Sequence, residues 1–399
     1  MASPGSRRTL IIVENLPCPF DRRVWQEALA LQSNGYEVSI ICPVGRGFDA
    51  RFEILDAIRI YRHPLPLEAK SAAGYAIEYT TALFWQAILS ARIALTTGFD
   101  IIHACNPPDT IFLIALLFKP FGKRFLFDHH DINPELYEAK FRRRDKWYRL
   151  LLWLERCTFR SADASIATNE SYRQIAIDRG GMRPDRVFVV RSGPDLARLR
   201  RTPPDESLRR GRRFLVGYVG VMGQQEGLDL LLHSVAKLRR AHGRDDIQFV
   251  LIGSGTERDA LIALAGELGI SDCVEFTGRV SDDDLWRILG STDICVNPDR
   301  ANAMNDKSTM NKIMEYMALG KPIVQFDLTE GRVSAAGASL YARPNDVDDL
   351  AVKIAQLLDD PEARARMAEI GSARVTGELA WHHQVPSLLR AYDKAFEVT

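Results

Sequence analysis

The chain has 399 residues, 46% of them hydrophobic and 26% charged, which is typical of globular proteins and too long for one ordinary core. Its 52 Lys and Arg residues balance 52 Asp and Glu residues, so the charge gives no support for a nucleic-acid partner. The 6 cysteines form no CxxC pair, and no apolar run reaches the ~20 residues of a membrane span. We therefore expect a reduced, cytoplasmic protein.

Short apolar runs alternate with helical periodicity along the chain, which predicts parallel sheets with helices on both faces. A helix over 22–33 follows the first strand, and the polar, Pro-bearing segment 196–213 is the best linker candidate. We predict an N-terminal domain over 1–205, a C-terminal domain over 206–378 and a terminal helix over 379–399. The strands are predicted at residues 10–13, 38–42, 58–61, 101–105, 125–128, 164–167, 187–190, 214–219, 248–252, 274–277, 294–296 and 323–326.

Two loops that follow predicted strands in the first half carry polar residues. Asp21 is a natural N-cap for the helix that Arg22 and Arg23 open. Asn106 follows another strand in a turn with two prolines. Ligands of doubly wound folds bind at the carboxyl ends of the strands, so we expect these residues to line a cleft. One arginine then reaches an anionic ligand, and the other is a solvated helix charge.

The run FDHHDINPE contains the most reactive-looking residues of the first half. His129, His130 and Asp131 come directly after a predicted strand. A His and an Asp at a cleft edge can orient a hydroxyl group or take a proton. At least one of the two histidines is expected to be hydrogen-bonded within the strand–loop junction instead.

The segment 140–159 combines a cationic cluster with Trp147, Tyr148, Trp153 and three leucines. A basic, aromatic, amphipathic helix can lie on anionic lipid headgroups. The alternative is that the Leu/Trp face belongs to the core and the arginines are simply solvated. We expect the membrane contact.

Glycine-rich turns follow two predicted strands of the second half. Gly220 and Gly223 follow the first, and Gly253 follows the second. Glycines at such turns let backbone amides approach a diphosphate closely, although a tight strand–helix turn needs them equally. The acidic run after Ser281 is interpreted as a capped helix start, not as a metal site.

The stretch DKSTMNKIMEYMALGKPIV, over 306–324, is the most informative part of the chain. A loop feeds a helix near Thr309 or Asn311, and the helix carries Glu315 and stops at Gly320. Unpaired amides and the helix dipole make such a start a phosphate site. A carboxylate in the first turns can accept hydrogen bonds from ribose hydroxyls.

The order and spacing of these features resemble the nucleotide-sugar domain of the retaining glycosyltransferases of family 4, which have the GT-B fold. The resemblance implies an α/β protein with two doubly wound Rossmann-like domains facing across a cleft, and a terminal helix that packs back toward the N-terminal domain. It also implies an enzyme that moves a sugar from a nucleotide diphosphate sugar to a hydroxyl acceptor with anomeric retention, without a cofactor or essential metal.

By the same resemblance, the backbone at Arg279 and Val280 meets the base and Glu315 meets the ribose. The pair His130 and Asp131 touches the donor sugar or the acceptor. The expected donor-binding residues are Gly220, Gly223, Gly253, Arg279, Val280, Lys307, Ser308, Thr309, Lys312 and Glu315. The expected catalytic residues are His130, Asp131 and Glu315, and the expected acceptor-side residues are Asp21, Arg22, Arg23, Asn106 and His129.

The chain departs from the family pattern at its charged positions. Val221 and Glu226 stand where the family usually has a phosphate-binding Arg and Lys, and Lys307 stands where many members have a Glu. Our hypothesis is that Lys307 or Lys312 compensates for the missing pair. The alternative is that both lysines point into solvent.

The resemblance suggests bacterial surface polysaccharide biosynthesis (capsule, exopolysaccharide or O-antigen), with a saccharide or lipid-linked acceptor at the inner face of the plasma membrane. Two alternatives remain open: a GT-B sugar-nucleotide 2-epimerase, and a non-catalytic subunit that binds a nucleotide. An NAD-dependent dehydrogenase is disfavoured, because no GxGxxG with a downstream acid follows a strand.

Overall fold

The chain folds into two compact domains. The first domain consists of Met1–Ser192 together with Gln384–Thr399, and the second of Gly193–His383. The structure, a computed structural model, describes residues 7–64, 72–200 and 202–397.

The division between the domains lies earlier than the predicted one between residues 205 and 206. The backbone N–H of Asp205 donates to Ser291 Oγ at 2.8 Å, and its carboxylate pairs with Arg287. Arg209 pairs with Asp293 at 2.6 Å. These contacts attach the polar segment before the first strand of the second domain to that domain, so the predicted linker is part of it.

The strands of the first domain are β1 (Arg8–Ile12), β2 (Glu37–Pro43), β3 (Phe52–Leu55), β4 (Ile58–His63), β5 (Ile101–Cys105), β6 (Arg124–His129), β7 (Ala164–Ala167) and β8 (Val187–Val189). Within the described residues they form one sheet in the order β3-β4-β2-β1-β5-β6-β7-β8. Only β3 runs antiparallel to its neighbour in that sheet. All of β5 is buried, as expected for a parallel strand covered on both faces.

The helices of the first domain are α1 (Arg22–Ser33), α2 (Ala72–Thr96), α3 (Phe112–Phe118), α4 (Asn133–Phe141), α5 (Lys146–Ser161) and α6 (Glu170–Asp178). The predicted bounds of α1 are confirmed, and Asp21 caps it by accepting from Val24 N at 3.1 Å. The chain moves one way across the sheet from β1 to β2 and the other way from β4 through β7. Right-handed crossovers therefore put α1 on one face and α2, α3 and α5 on the opposite face.

The strands of the second domain are β9 (Phe214–Val219), β10 (Ile247–Ile252), β11 (Val274–Gly278), β12 (Ile294–Asn297), β13 (Ile323–Phe326) and β14 (Ser339–Ala342). Over residues 202–383 they form a parallel sheet in the order β11-β10-β9-β12-β13-β14. Alternate residues of β9 pack into separate apolar clusters, Val216 and Tyr218 into one and Leu215 into the other. This sheet is therefore also covered on both faces.

The helices of the second domain are α7 (Leu228–His242), α8 (Arg258–Glu267), α9 (Asp282–Ser291), α10 (Asn311–Ala318), α11 (Thr329–Ala335), α12 (Val347–Asp359) and α13 (Pro361–Arg374). The last helix is α14 (Trp381–Phe396), which belongs to the first domain from Gln384 onward. Its Tyr392 is fully buried and stacks edge-on against Tyr36, with ring centroids 5.2 Å apart.

Two short strands were not predicted, β3 and β14. Phe52 and Ile54 of β3 are exposed because the strand lies at the sheet edge, so it lacks the buried apolar run that marks the other strands. β14 has four residues and also lies at an edge. The hydrophobic pattern of the sequence is a weak signal for such strands, because pairing with a neighbouring strand stabilises them more than their own side chains do.

Candidate active site

The first domain holds a buried ion cluster at the carboxyl ends of its central strands. Arg23 of α1 donates from Nη2 to Asp128 Oδ1 at 2.9 Å and from Nη1 to Val190 O at 2.8 Å. It also pairs with Glu27 at 3.1 Å. Although burial opposes the change, Arg23 lowers the pKa of Asp128 well below its usual value. Asp128 therefore stays ionised and anchors the guanidinium group.

His130 is attached to this cluster from the loop after β6. Its Nε2 contacts Asp128 Oδ2 and lies 2.9 Å from Arg23 Nε. Arg23 Nε donates to this nitrogen, so Nε2 is the ring nitrogen that faces the ion cluster. The ring is 17% exposed, whereas Asp128 is fully buried. The buried cluster thus fixes the position of the His130 ring, while part of the ring remains exposed to solvent.

His103 extends the buried cluster toward the C-terminal helix. Its Nε2 lies 3.4 Å from Asp128 Oδ2 and 3.6 Å from Glu27 Oε2, and its Nδ1 lies 2.9 Å from the Tyr392 hydroxyl. Burial lowers the pKa of His103 and raises that of Glu27 well above its usual value. Neither residue was singled out from the sequence, because only the fold brings α1, β5 and α14 together.

Asn106 fastens the loop that carries His130. Its Oδ1 accepts from His130 N at 2.7 Å and from Asp131 N at 3.1 Å, and its Nδ2 donates to Asp131 O at 2.6 Å and to Asp109 Oδ1 at 2.9 Å. Burial raises the pKa of Asp109 to about 6 and also raises that of Asp131. The side chain of Asn106 therefore sets the position of the His130–Asp131 turn.

The structure corrects the acceptor-side prediction for His129. This residue is the last of β6 and fully buried, and its ring packs 5.5 Å from Phe127, 5.1 Å from Phe159 and 5.1 Å from Tyr172, centroid to centroid. Burial lowers its pKa to about 3. Since side chains alternate along a strand, Asp128 and His130 share one side and His129 takes the other. The same alternation is the sequence signal that points to Asp128.

The remaining predicted residues of this loop region are Asp21 and Arg22. Asp21 is half-buried and engaged as the N-cap of α1, and Arg22 is exposed. Arg23, in contrast, has its guanidinium satisfied inside the protein. Of the two arginines, Arg22 is therefore the one at the surface.

In the second domain the glycine-rich turns pack against each other. A Cβ added to Gly253 would lie 1.9 Å from Gly220 O, and one added to Gly255 would lie 2.4 Å from Met222 O. Gly220 N donates to Ile252 O at 3.0 Å. Glycine is thus required here by close backbone contact between the turns after β9 and β10, in addition to any role toward a phosphate.

Lys312 of α10 lies next to Gly220 in the turn after β9. Its Nζ contacts Glu226 Oε2, lies 3.1 Å from Asp299 Oδ1 and sits 4.8 Å from the ring centroid of Tyr218. A Cβ on Gly220 would come within 3.3 Å of it. Burial raises the pKa of Asp299 to about 7, while Lys312 lowers the pKa of Glu226 against the effect of burial.

Lys312 and Glu226, one at a position where the chain departs from the family pattern, form a buried pair. The ammonium group of Lys312 reaches the turn after β9 from helix α10. The alternative that Lys312 points into solvent is excluded, because its side chain is 10% exposed. Two carboxylates already compensate its charge.

The loop before α10 has its own internal supports. Asn305 donates from Nδ2 to Gln225 O at 2.9 Å, and Asp306 accepts from Thr329 N at 2.8 Å. Ser308 Oγ donates to Met304 O at 2.8 Å. The predicted donor residues Lys307, Ser308, Thr309 and Glu315 are all half-buried.

The start of α10 lacks a side-chain cap among the described residues. The helix begins at Asn311, and in the part of the chain that the structure describes its N-cap Met310 provides no side-chain acceptor. The predicted end is confirmed, because Gly320 has φ 68° and its N–H donates to Met317 O at 2.9 Å. Glu315 lies one turn into the helix.

Arg279 and Val280 follow β11, where Gly278 has φ 72°. Arg279 is exposed, and Val280 packs against the apolar cluster beside α9 and α10. Ser281 accepts from Asp284 N at 3.1 Å, so the interpretation of the acidic run as a capped helix start is confirmed.

One group of possible metal ligands occurs among the described residues: Glu27, Cys105, Asp128 and His130 have donor atoms within 4.8 Å of one another. The guanidinium of Arg23 already binds Glu27 and Asp128 there. Burial also raises the pKa of the Cys105 thiol well above its usual value, so it is protonated at neutral pH. A cation in contact and a protonated thiol fit a metal poorly.

Helix α5 exposes its aromatic face. Trp147, Leu150 and Trp153 are exposed, whereas Glu155 and Phe159 are buried. The alternative that the Leu/Trp face belongs to the core is therefore wrong for these three residues. Among the described residues, no helix is long and apolar enough to cross a membrane.

Comparisons with known proteins agree with this architecture. The family model described as glycosyltransferase family 4 matches residues 21–198, and the one described as glycosyl transferases group 1 matches residues 213–360. The chain is similar to the MMP alpha-(1->4)-mannosyltransferase of Mycolicibacterium hassiacum, with 25% identity over 90% of this chain and 91% of that protein.

Other similarities are more partial or more distant in sequence. A D-inositol 3-phosphate glycosyltransferase from Nocardia farcinica is 30% identical over 59% of this chain and 53% of its own length. The solved sucrose-phosphate synthase from Thermosynechococcus elongatus has the same fold, with a TM-score of 0.81, 18% identity and coverage of 98% of this chain and 99% of that one. With two Rossmann-like domains, each matched by a glycosyltransferase model, the chain belongs to the family 4 glycosyltransferases of GT-B fold.

Proposed function

We propose that this enzyme transfers a sugar from a nucleotide diphosphate sugar to a hydroxyl acceptor with retention of the anomeric configuration. The observation that carries the proposal is the start of α10, which follows β12 and whose Lys312 reaches the turn after β9. Backbone amides at such a helix start bind a diphosphate. We propose that Glu315, one turn into α10, accepts hydrogen bonds from the ribose.

The diphosphate needs positive charge, and we assign that role to Lys307. Lys312 contacts Glu226 and Asp299, and we assign it the role of supporting the glycine turn. Lys307 precedes the helix start that binds the diphosphate. This assignment sharpens the hypothesis that one of the two lysines replaces the family's missing cations.

For the chemical step, His130 and Asp131 are proposed to orient the reacting sugar and acceptor hydroxyls. In the retaining mechanism expected from the family, the leaving diphosphate helps to deprotonate the acceptor, so stabilisation of the diphosphate matters more than a strong base. The Nε2 of His130 is held by Asp128, which leaves Nδ1 for a substrate hydroxyl. No metal or cofactor is assigned to this step.

The acceptor is proposed to be a lipid-linked saccharide of a surface polysaccharide, used at the inner face of the plasma membrane. Supporting this, residues 140–159 combine exposed aromatic side chains with Lys and Arg residues. Such a segment binds anionic headgroups through both apolar burial and charge.

The test is an assay of nucleotide diphosphate release with a panel of nucleotide sugars, with and without lipid-linked acceptors. Release that requires an acceptor and yields a glycosylated product with retained configuration is expected. An inverted product contradicts retention. Conversion of the donor to its epimer without an acceptor supports a 2-epimerase, and donor binding without turnover supports a non-catalytic subunit.

A further inference from the structure

Helix α2 carries an exposed apolar stripe that the function described so far does not use. Ile77, Phe84, Ile88 and Leu95 are exposed, with Phe84 at 61% and Leu95 at 88%. Their spacings of 7, 4 and 7 residues place them within about 40° around the helix axis, over a length of about 27 Å. Four large apolar side chains aligned in this way form a continuous surface feature, unlike scattered exposed residues.

Two neighbouring helices continue this apolar surface. α3 packs against both α2 and α5, on the same face of the sheet. It exposes Leu113, Leu116 and Leu117, and Phe121 follows it with 75% of its surface exposed. On α5 the exposed residues are Trp147, Leu150 and Trp153. We call the exposed apolar side chains of α2, α3 and α5 the three-helix face.

Cations border the three-helix face on the α5 side. Arg142, Arg143, Lys146 and Arg149 are all exposed. In a symmetric dimer the three-helix face of one chain would meet the same face of the other chain. The two cationic borders would then lie opposite or close to each other. Anionic headgroups neutralise the cations, while the apolar side chains enter the region between headgroups and acyl chains.

We propose that the three-helix face docks on an anionic lipid bilayer, with the stripe of α2 lying in the plane of the membrane. The inference extends the lipid contact proposed for residues 140–159 and rests on the proposed function. It adds α2 and α3 as membrane-binding elements, and it orients the first domain with the outer side of these helices toward the lipid.

The experiment is flotation of the full chain with vesicles of phosphatidylglycerol and phosphatidylcholine, compared with phosphatidylcholine alone. The test variant is Phe84→Ser with Ile88→Ser. The matched control, Ile262→Ser with Ile370→Ser, changes two comparably exposed apolar residues of the second domain. We expect the anionic vesicles to bind the wild type and the control, and the α2 variant to lose about tenfold or more in partitioning.

Three results would overturn the proposal: no binding of the wild type, equal binding to neutral vesicles, or binding of the α2 variant equal to that of the control. Concentration-dependent dimerisation that the α2 variant abolishes would assign the face to a second copy instead. Nucleotide-sugar binding, measured on the same samples, separates the two proposals. If the wild type binds the donor but not the vesicles, only the docking of the three-helix face is contradicted. If it does not bind the donor, only the proposed function is contradicted.

Discussion

Each domain has a cluster in which a buried cation contacts carboxylates near the carboxyl ends of its strands, and the two clusters are built differently. In the first domain, Arg23 spreads its N–H donors over Asp128 and two backbone or side-chain oxygens of other segments. In the second domain, Lys312 brings a single ammonium group to Glu226 and Asp299. Arg presents a planar fork of five donors, and Lys presents a point charge.

The difference shows how each cluster serves its site. The guanidinium of Arg23 fixes Asp128 and thereby the ring of His130, so the cluster positions a residue that reaches the surface. The ammonium of Lys312 compensates an acid that stands where the family usually has a lysine. The second cluster therefore neutralises a buried charge and holds the turn after β9 against α10.

The largest expected effect comes from Arg23→Met, which removes the cation from a fully buried cluster. Asp128 and Glu27 then lose their guanidinium partner inside the protein, and we expect a loss of about 3–5 kcal/mol in the free energy of unfolding. Chemical denaturation measures it. Lys237→Met is the matched control, because its pair with Asp348 is exposed and contributes less than about 1 kcal/mol. Equal stability of the two variants would contradict the assignment.

Lys312→Met is expected to destabilise less, by about 2–3 kcal/mol. Asp299, whose pKa burial raises to about 7, can take up a proton when the ammonium group is lost, whereas loss of Arg23 also removes hydrogen bonds to Val190 O and Ser192 Oγ. Adding Glu226→Gln to Lys312→Met should recover part of the loss. A loss as large as that of Arg23→Met, with no recovery in the double variant, would remove the distinction between the clusters.

Acid sensitivity tests the correction made for His129. Its pKa is about 3 in the folded protein and about 6.5 when unfolded, so the unfolded state binds the proton first as the pH falls. Stability is complete above about pH 6.5 and decreases below it, by roughly 2 kcal/mol at pH 5 from this residue alone. His129→Leu should flatten the dependence of Tm on pH between 6.5 and 5. An unchanged slope would show that His129 is not buried in its neutral form.

The smallest effect on folding and a clear effect on binding are expected for Lys307→Ala. The affinity for the nucleotide sugar should fall about tenfold, which corresponds to about 1.4 kcal/mol, while stability changes by less than about 0.5 kcal/mol. Lys353→Ala on α12 is the control. Titration calorimetry measures the affinity, and unchanged binding by the Lys307 variant would return the phosphate role to Lys312 or to the backbone alone.

Local sequence signals predicted the fold well where they were strong. The bounds of α1, the cap at Ser281 and the stop at Gly320 depend on neighbouring residues, so they could be predicted. The short edge strands β3 and β14 depend on pairing with β4 and β13, which local pattern does not reveal.

The candidate site was predicted less completely, because its charges are matched across distant segments. Lys312 and Glu226 were both recognised as unusual, but only the fold shows that they pair. Side chains alternate along β6, so His129 lies on the opposite side from Asp128 and His130. This separation could be predicted from the strand period alone. His103 and Glu27 join the cluster through three separate elements, which no local motif indicates.

The central claim, that the start of α10 binds the nucleotide sugar with Glu315 on the ribose, is tested most directly by donor binding to Glu315→Gln. We predict that at least one nucleotide diphosphate sugar from a panel including UDP-glucose and GDP-mannose binds the wild type, and that Glu315→Gln weakens it about tenfold or more. The exposed Glu362→Gln on α13 should bind like the wild type. Equal affinity of the Glu315 and Glu362 variants would contradict the account.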